Sequence, residues 1–392
     1  MNEKMQVKKK ILILVDWYLP GYKGGGQIKA VEYIVENLKD QFDFHVLCRD
    51  HDADGVVYPG IVSNTWIERD GIRVKYLSAA QQPYRTSVCA EAALPQWDAV
   101  YANSFFSTYF SILPLLKRRF SGGVQRPFIL APRGEFSPGA FNLKRWKKSA
   151  FVAVSKMLGL HHQVLWHAST ELEQADIRLQ FEKAQVHIAR ELLPPAVQSQ
   201  ITPLEKVPGQ LRLIFLSRIS GKKGLDIALR TLAALDSGQV RLDIYGPIED
   251  VRHWNECRAL IDSMPAHITV QYCGELPHAR IREVIPAYHF LFFPTLGENF
   301  GYVIIESLLA GRPVLISDQT PWRDLQSRQI GFDIPLAQPE LFVQTLHTLI
   351  ALDQAGFDAY QASVSAYASA YVASQDTLVK DSFTLFSRTL PA

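Results

Sequence analysis

The sequence predicts an α/β protein built from two Rossmann-like domains, each with a doubly wound parallel sheet. Short apolar runs alternate with stretches of helical length along the whole chain, which is typical of parallel sheets covered by helices on both faces. A proline-rich segment near the middle separates two such series of runs. The 392 residues, of which 47% are hydrophobic and 20% charged, suffice for two cores and argue against extensive disorder.

The apolar runs predict the strands in order. In the first half of the chain we predict strands at 11–15, 43–48, 72–77, 98–102, 127–131 and 164–168. In the second half we predict strands at 211–216, 240–246, 268–273, 290–293 and 313–316. The stretches between them predict helices, among them 26–39, 105–120, 141–160, 224–236 and 301–310.

The proline-rich segment defines the domain organisation. It shows little periodicity and contains Pro194, Pro195, Pro203, Pro208 and Gly209. We therefore predict a first domain at 1–195, a linker at 196–210 and a second domain at 211–373. Two such sheets imply a cleft between them, and ligands of open α/β sheets bind at the carboxyl ends of the strands. We expect the functional site there.

Charge, cysteine content and hydropathy exclude several classes of protein. With 41 Lys and Arg against 39 Asp and Glu, the formal net charge is +2, which argues against a dedicated nucleic-acid-binding protein. The cysteines lack metal-ligand spacing and indicate reduced thiols in the cytoplasm: Cys48, Cys89, Cys257 and Cys273. The apolar run at 11–15 is shorter than the roughly 7–15 residues of a secretory h-region. No run reaches the ~18 apolar residues of a membrane span, so we expect a soluble chain, at most peripheral to a membrane.

The first candidate motif follows the first predicted strand. Gly24, Gly25 and Gly26 lead into a helical run, where glycine lets the backbone approach a ligand and the helix N-terminus offers N–H groups to an anion. The spacing is not the GxGxxG of dinucleotide-binding proteins, which disfavours a nicotinamide-dependent dehydrogenase. A flexible loop without a ligand is the alternative interpretation.

A basic motif follows the first predicted strand of the second domain. Arg218 and one of Lys222 and Lys223 would lie at the carboxyl end of that strand, where two cations suit a diphosphate. Each charge-assisted contact would contribute about 1.5–3 kcal/mol. The alternative interpretation is a solvated basic loop.

The most informative block spans residues 294–316. Glu306 follows Glu298 by eight residues, and a helix is predicted to start between them. Carboxylates accept hydrogen bonds and therefore suit the hydroxyl groups of sugars. An anion at the helix N-terminus would meet the backbone amides of Asn299, Phe300 and Gly301. In the alternative interpretation Glu298 caps the helix and Glu306 lies on a solvated face.

This block resembles the E-x7-E signature of retaining glycosyltransferases. It contains Pro-Thr-x-x-Glu-x-Phe-Gly from Pro294, followed by Ala-Gly-Arg-Pro-Val at 310–314. The glycine loop, the Arg218 motif, Gly246 and the segment 272–277 occur in the order found in glycosyltransferase family 4, so the chain looks like a member of that family. The resemblance covers most of the chain, is strongest from 211 to 316, and implies the GT-B fold of two facing Rossmann-like domains.

The resemblance implies roles for the donor-site residues. Gly25 and Gly26 would bring amides to the donor diphosphate, and Arg218 and Lys223 would neutralise the leaving group, which stabilises the transition state. Glu298 would hold hydroxyl groups of the donor sugar. Residues 299–301 would contact the phosphates or sugar, and Glu306 would contact the ribose. The backbone around Gly274, Glu275 and Leu276 would contact the base edge.

The resemblance also implies the type of mechanism. No Asp-x-Asp motif that would hold a metal against a diphosphate is evident, and we interpret the DADG sequence at 52–55 as a loop. We therefore expect transfer without a metal or another cofactor and with retention, in which the departing phosphate oxygen accepts the proton of the acceptor. The resemblance further implies that a helix at 374–392 crosses back to the first domain.

Two loops of the first domain are candidates for acceptor binding. Many members of the family carry a histidine where this chain has Arg133 and Glu135, after the predicted strand at 127–131. Arg133 would hold phosphate or acceptor, and Glu135 would bind acceptor hydroxyl groups; alternatively they form an internal ion pair that shapes the loop. Asn103 and Ser104, after the strand at 98–102, are similar candidates.

Basic helices of the first domain suggest a membrane surface. Lys117 and Lys144 belong to cation clusters on predicted helices, and Trp146 lies within the second cluster. Such helices suit anionic headgroups and a lipid-linked acceptor. The alternative is a solvated helix face with Trp146 packed inward. His161, His162 and His167 also cluster in sequence, and we favour a core or surface role for them over a metal site.

Together these observations predict a hexosyltransferase-type enzyme. It would move a sugar from a nucleotide-diphosphate sugar to a saccharide or lipid-linked saccharide, in the synthesis of a surface polysaccharide such as lipopolysaccharide, in the cytoplasm or at the inner face of the membrane. Two alternatives stay open. One is a nucleotide-sugar epimerase or another enzyme of the same architecture, and the other is a non-catalytic protein that binds a nucleotide or glycan.

Overall fold

Two parallel β-sheets organise the chain in the computed structural model, which describes residues 8–121, 126–142, 145–195, 197–198 and 201–388. One sheet belongs to a unit formed by Met1–Pro195 and Gln375–Ala392, and the other to a unit formed by Ala196–Ser374. Both units combine a largely parallel sheet with helices that alternate with the strands along the chain. The predicted fold class, two α/β units with parallel sheets, is therefore confirmed.

The first unit contains an eight-stranded sheet. Its strands are β1 (Lys9–Val15), β2 (Phe42–Arg49), β3 (Trp66–Arg69), β4 (Ile72–Leu77), β5 (Ala99–Asn103), β6 (Phe128–Ala131), β7 (Val164–Ala168) and β8 (Gln185–Ile188). Its helices before the second unit are α1 (Gly26–Leu38), α2 (Tyr84–Ala92), α3 (Leu113–Phe120), α4 (Pro138–Phe141), α5 (Arg145–Met157) and α6 (Glu171–Gln180). The spatial order is β3-β4-β2-β1-β5-β6-β7-β8, and all neighbours are parallel except the antiparallel pair β3 and β4.

The second unit contains a six-stranded parallel sheet. Its strands are β9 (Gln210–Leu216), β10 (Gln239–Tyr245), β11 (Ile268–Tyr272), β12 (Phe290–Phe293), β13 (Val314–Ser317) and β14 (Gly331–Ile334). Its helices are α7 (Leu225–Ala233), α8 (Val251–Asp262), α9 (Ile281–Val284), α10 (Tyr302–Leu309), α11 (Pro339–Ala351) and α12 (Gln354–Ala373). The spatial order β11-β10-β9-β12-β13-β14 is the Rossmann order, in which the direction of winding reverses between the first and the fourth strand.

Burial on both faces explains why the continuous apolar runs form the central strands. Residues 11–14 of β1 are 0% exposed, and the four residues of β12 are at most 1% exposed. A strand covered by helices on both sides has no solvent face, so its sequence shows no alternation. Each predicted strand is present with ends shifted by at most one residue, except that β1 begins two residues earlier than predicted.

Three strands and several helix boundaries differ from the sequence prediction; for example, α7 ends three residues before the predicted end at 236. β3, β8 and β14 were not predicted, because all three are short edge strands whose apolar runs are interrupted by polar residues, which in β14 is Asp333. The predicted helix at 105–120 begins instead with a π-helical turn, Thr108–Ile112. The predicted helix at 141–160 is represented by α4 and α5; Lys144, which lies between them, is outside the described residues.

The last helix, α13 (Gln375–Ser387), packs in the first unit although α12 precedes it directly in the chain. The Phe386 side chain is fully buried, and its ring centroid lies 5.6 Å from that of Phe42 and 5.5 Å from that of Phe44. The amide of Gln375 donates to the carbonyl of Leu193 (2.8 Å). These contacts fasten both ends of α13 to the first sheet and its final segment.

None of the helices in the described part of the chain is both long enough and apolar enough to cross a membrane.

The docking of α13 predicts the effect of two neighbouring substitutions. Phe386→Ala should lower the free energy of unfolding of the first unit by about 3–5 kcal/mol, because it leaves a cavity among aromatic rings. Phe383→Ala is the matched control: its ring also contacts Phe42 but is 43% exposed, so its loss should cost about 1 kcal/mol or less. Hydrogen exchange of β1 and β2 amides against urea measures both values, and equal losses would contradict the burial argument.

Candidate active site

The topology of the second unit brings the predicted donor residues together. The strand order reverses between β9 and β12, and open α/β sheets bind ligands beyond the carboxyl ends of the strands at such a point. Arg218 and Lys223 follow β9, and Glu298 and Glu306 follow β12. Residues far apart in the sequence therefore meet at one edge of the sheet.

Gly224 allows the loop after β9 to pack on the loop after β12. Its φ of 74° lies in the left-handed region, and a Cβ atom there would be 2.1 Å from the carbonyl oxygen of Pro294. The amide of Leu296 donates to the carbonyl of Lys222 (2.8 Å), which joins the same two loops. Only glycine combines this conformation with so close an approach.

Lys223 and Glu298 form an ion pair at this junction. Nζ of Lys223 lies 2.5 Å from Oε1 of Glu298, and both side chains are 13% exposed. The hydroxyl of Thr295 lies 3.4 Å from the same oxygen. The sequence predicted a diphosphate ligand for Lys223 and a sugar ligand for Glu298; in the structure each residue orients the other, and Glu298 does not cap the helix, whose N-cap is Gly301.

Arg218 is paired with a residue that sequence reasoning missed. Its Nη1 lies 2.9 Å from Oε2 of Glu249, and the two side chains are 36% and 48% exposed. Gly246, with φ 139°, brings the loop of Glu249 close, since a Cβ atom there would be 1.9 Å from the carbonyl oxygen of Ser217. In the sequence, Gly246 indicates that two backbone segments approach each other closely. It does not indicate that Glu249 is the side chain that pairs with Arg218.

The helix α10 begins close to the predicted position. Gly301 precedes it with φ 81°, and the amides of Asn299 and Gly301 come just before the first turn. Phe300 is 8% exposed, and its carbonyl accepts a hydrogen bond from Nε1 of Trp322 (2.5 Å). Trp322 therefore anchors the loop that carries Glu298 into the helix.

Glu306 lies inside α10 and is buried. The alternative interpretation, in which Glu306 lies on a solvated helix face, is therefore wrong. The Glu306 side chain accepts a hydrogen bond at Oε1 from Nε2 of His278 (2.8 Å). His278 begins a short 3-10 turn, His278–Arg280, and was not among the predicted residues. It comes two residues after Leu276, so the predicted base-binding segment ends next to it.

The segment after β11 lies beside the carboxyl end of β10. The carbonyl of Gly274 accepts from the amide of Gly246 (2.9 Å), and Gly274 has a φ of 84°. Glu275 is exposed and Leu276 is half-buried. The structure thus places these residues next to the loop that carries Glu249.

The glycine loop of the first unit is held by the DADG segment. Gly25 precedes α1 with φ 68°, and α1 begins at Gly26. Oδ2 of Asp52 accepts hydrogen bonds from the amides of Tyr22 (2.9 Å) and Lys23 (3.2 Å). The segment 52–55 is a turn, as predicted, and its carboxylates shape the loop that follows β1.

Arg133 is buried and has a different partner from the one predicted. The side chains of Arg133 and Glu191 are each 4% exposed, and Nη1 lies 2.5 Å from Oε1 of Glu191. The guanidinium also donates to Asn103 Oδ1 (2.7 Å) and to Tyr101 OH (2.6 Å). The alternative prediction, an ion pair between Arg133 and Glu135, is therefore wrong. The burial of Arg133 argues against direct contact with phosphate or acceptor, and Asn103 belongs to the same buried network.

Glu135 binds the start of the loop after β5. Its oxygens accept from the hydroxyl of Ser104 (2.8 Å) and from the amides of Phe105 (2.5 Å) and Phe106 (3.1 Å). Loss of solvation raises the pKa of Glu135 to about 7, although these donors favour the ionised form. Glu135 and Ser104, predicted as separate acceptor ligands, are bonded to each other.

Two of the clustered histidines, His161 and His167, have structural roles, whereas His162 is exposed. His161 lies among aromatic rings, 4.7 Å from Phe181 between centroids, and burial lowers its pKa to about 4. His167 accepts from Tyr101 OH (2.9 Å) and donates to the carbonyl of Ala189 (2.8 Å). Within the described residues, no group of three or more His, Cys, Asp or Glu side chains could hold a metal ion.

Comparisons with known proteins agree with this architecture. Residues 210–351 match the family model described as glycosyl transferases group 1. Sucrose-phosphate synthase from Thermosynechococcus elongatus is similar in structure with a TM-score of 0.73 and 14% identity, over 97% of this chain and 99% of that one. Anabaena HepE in complex with UDP and glucose gives a TM-score of 0.68 and 18% identity, over 95% of this chain and 98% of that one.

A third solved structure extends the likeness. WaaG, a glycosyltransferase involved in lipopolysaccharide biosynthesis, gives a TM-score of 0.64 and 14% identity, over 92% of this chain and 95% of that one. No curated protein sequence matches the chain significantly. At these identities the likeness shows the fold, which is the GT-B architecture of glycosyltransferases, and the family match covers the sheet of the second unit from β9 to β14.

The buried carboxyl group of Glu135 predicts a pH dependence of stability. Its pKa is higher in the folded chain, about 7, than its ordinary value of 4.5. Between these values the unfolded chain releases a proton that the folded chain keeps, so the stability contributed by this group falls as pH rises. From pH 5 to 7.5, wild type should lose roughly 2 kcal/mol relative to Glu135→Gln.

Urea unfolding of the first unit at both pH values measures this difference. Glu182→Gln, which removes an exposed carboxylate from the same unit, is the control and should leave the wild-type pH profile unchanged. Parallel profiles for wild type and Glu135→Gln would contradict the assignment.

Proposed function

We propose that the chain is a glycosyltransferase whose second unit binds a nucleotide-diphosphate sugar. The observation that carries this proposal is that Arg218 and the Lys223–Glu298 pair follow β9 and β12, the two strands at the switch point of a Rossmann-ordered sheet. The His278–Glu306 pair joins the segment after β11 to α10, the helix that follows β12. The same residues lie within the segment that matches the glycosyl transferases group 1 model. The solved structures of Anabaena HepE that contain UDP or UDP-glucose support a nucleotide-sugar donor by analogy of fold.

The cations would stabilise the leaving group. When the glycosidic bond to the diphosphate breaks, negative charge grows on the phosphate oxygens, and nearby cations stabilise it most in the transition state. Arg218 is partly exposed and exchanges its exposed partner Glu249 for phosphate oxygens. Lys223 has three donors and can contact a phosphate while it keeps its bond to Glu298.

The carboxylates would recognise hydroxyl groups. Lys223 and Thr295 hold Oε1 of Glu298, which leaves Oε2 to accept from hydroxyl groups of the donor sugar. His278 orients the carboxylate of Glu306, which would accept from the ribose diol. The backbone at Gly274, Glu275 and Leu276 would contact the base, and residues 299–301 would offer amides to the phosphates or sugar.

The proposed reaction is transfer with retention and without a metal or another cofactor. The bond from the anomeric carbon to the diphosphate oxygen breaks, and a bond to the acceptor oxygen forms on the same face. The acceptor hydroxyl proton passes to the departing phosphate, which leaves as a nucleoside diphosphate. The acceptor would be a saccharide or lipid-linked saccharide of a surface polysaccharide, bound by the first unit, and the transferred sugar a hexose.

An exposed apolar stripe on α5 supports peripheral membrane contact. Trp146 is 73% exposed and Met157, eleven residues further on the same helix face, is 79% exposed, so Trp146 does not pack inward as the alternative interpretation held. Arg145, Lys147 and Lys156 are exposed on the same helix. A basic helix with an exposed apolar face suits an anionic membrane surface, where a lipid-linked acceptor would be found.

The donor proposal predicts the response to a nucleotide panel. UDP, GDP, ADP, dTDP and NAD are tested separately by thermal unfolding without metal. One nucleoside diphosphate should raise Tm by about 2–4 °C at 100 times its Kd. Arg218→Gln should weaken that binding about tenfold or more, because it removes a charge-assisted contact. Arg252→Gln, which removes an exposed cation from the same unit, should leave it unchanged.

An assay of sugar transfer distinguishes an enzyme from a non-catalytic binding protein. Glu298→Gln should keep nucleotide binding and lower sugar transfer from the nucleotide sugar about 100-fold or more, since it removes a charge next to the reacting sugar. Absence of any nucleotide effect, or an effect of NAD alone, would contradict the donor proposal. Nucleotide binding without sugar transfer by the wild type would instead indicate a non-catalytic binding protein.

The α5 stripe predicts binding to anionic vesicles. The double variant Trp146→Ala and Met157→Ala should reduce co-sedimentation with phosphatidylglycerol vesicles roughly tenfold, because both apolar anchors are lost. Leu179→Ala, at a position equally exposed on α6, is the control and should bind like wild type. Equal sedimentation of all three proteins would contradict membrane contact through α5.

A further inference from the structure

A polar cavity lies in the first unit, at the edge of the sheet opposite to the predicted acceptor loops. Its volume is about 700 Å³. It opens at the amino ends of three strands, since Phe128, Leu165 and Gln185 line it at the starts of β6, β7 and β8. The glycine loop, Asn103 and Arg133 all follow carboxyl ends of strands, so the cavity is separate from them.

The lining of this cavity is strongly cationic. Four arginines line it, together with one histidine: Arg118, Arg126, Arg178, Arg388 and His187. Its lining among the described residues includes no Asp or Glu side chain. We call it the arginine cavity. Several like charges around one cavity repel each other unless an anion enters, and they create a positive potential that attracts one.

Two of the arginines are held in place by backbone carbonyl groups. Arg118 donates to the carbonyl of Arg126 (3.2 Å) and to that of His162 (3.0 Å), and burial lowers its pKa. Arg126 donates through Nη1 to the carbonyl of Trp97 (2.6 Å). Carbonyl partners fix the orientation of a guanidinium group but do not neutralise its positive charge. The inner wall of the cavity is therefore rigid and positively charged.

The other two arginines form an exposed rim. Arg178 donates to Gln174 Oε1 (3.2 Å) on its own helix, α6. Arg388 follows α13, and its Nη1 lies 3.5 Å from Nδ1 of His187. Nε2 of His187 lies 3.0 Å from the carbonyl of Asp381, so Nε2 donates there and Nδ1 is the acceptor for Arg388. These rim side chains can turn towards a ligand without breaking a buried contact.

We propose that the arginine cavity binds a phosphate-bearing anion of at least two negative charges. The planar guanidinium fork matches pairs of phosphate oxygens, and several forks around one cavity suit a group with three or more acceptor oxygens. The volume exceeds that of a single phosphate and admits a pyrophosphate or a phosphorylated saccharide. The anion joins α3, α6 and the end of α13, so it stabilises the docking of α13. This proposal does not depend on the function proposed for the second unit.

Titration calorimetry with inorganic pyrophosphate tests the proposal. Pyrophosphate would also enter the proposed donor site, so the measurement uses the full chain with Arg218→Gln and Lys223→Gln as background. We expect one site whose affinity falls about tenfold or more with Arg178→Gln and Arg388→Gln together. The rim arginines are chosen because Arg118→Gln would leave backbone carbonyls without donors and could unfold the chain. Hydrogen exchange of α13 should slow on binding.

A matched control and a second ligand source complete the experiment. Arg85→Gln removes an exposed cation of the first unit outside the cavity and should bind pyrophosphate normally. Vesicles with phosphatidic acid, compared with phosphatidylcholine, test a lipid headgroup as the source of the phosphate. Dependence on Arg178 and Arg388 in the soluble or the vesicle assay supports the proposal and identifies the source. Equal binding by the rim variant and Arg85→Gln in both assays would overturn it.

Discussion

The close packing of the Gly224 backbone on the Pro294 carbonyl is the constraint on which the candidate donor site depends. It joins the loops after β9 and β12, the two strands between which the sheet reverses its winding. Because these loops touch, Lys223 meets Glu298 at 2.5 Å. Gly246 has the same effect between the loops after β9 and β10 and thereby brings Glu249 to Arg218. The chemistry of the site thus rests on two positions where a side chain has no room.

The charged groups of the candidate donor site are held in pairs, Arg218 with Glu249, Lys223 with Glu298 and Glu306 with His278, and this has a functional consequence. A partly buried cation needs a partner when no ligand is bound, and Glu249 and Glu298 provide one for Arg218 and Lys223. Exposed pairs exchange partners at little cost in free energy, whereas enclosed pairs keep their geometry. Arg218 is therefore suited to respond to a ligand, and Lys223 is suited to hold a carboxylate in a constant position.

The first unit distributes its charges differently. At the carboxyl ends of its strands, Arg133 and Glu135 are satisfied internally, by Glu191 in one case and by Ser104 and two amides in the other. At the amino ends, the contacts of the arginine cavity's cations within the described residues are carbonyl groups and neutral side chains. Removal of one partner of a buried pair costs about 3–5 kcal/mol because the other charge is left uncompensated, so Arg133 and Glu191 depend on each other. The edge at the amino ends of the strands instead creates a positive electrostatic potential.

Apolar runs and glycine-rich loops in the sequence determined the fold class, the strand positions and the segments that carry the candidate site. These features are local: a run such as residues 11–15 has the same burial preference in any context, and a glycine marks a special conformation wherever it occurs. The edge strands β3, β8 and β14 were not predicted because polar residues interrupt their apolar runs; β3 and β8 are half-exposed, and β14 contains Asp333. Only the tertiary structure decided the partners, which are Glu249 for Arg218, His278 for Glu306 and Glu191 for Arg133. A hydrogen bond or ion pair depends on distances of about 3 Å between residues far apart in the chain, and those distances follow from packing rather than from residue type.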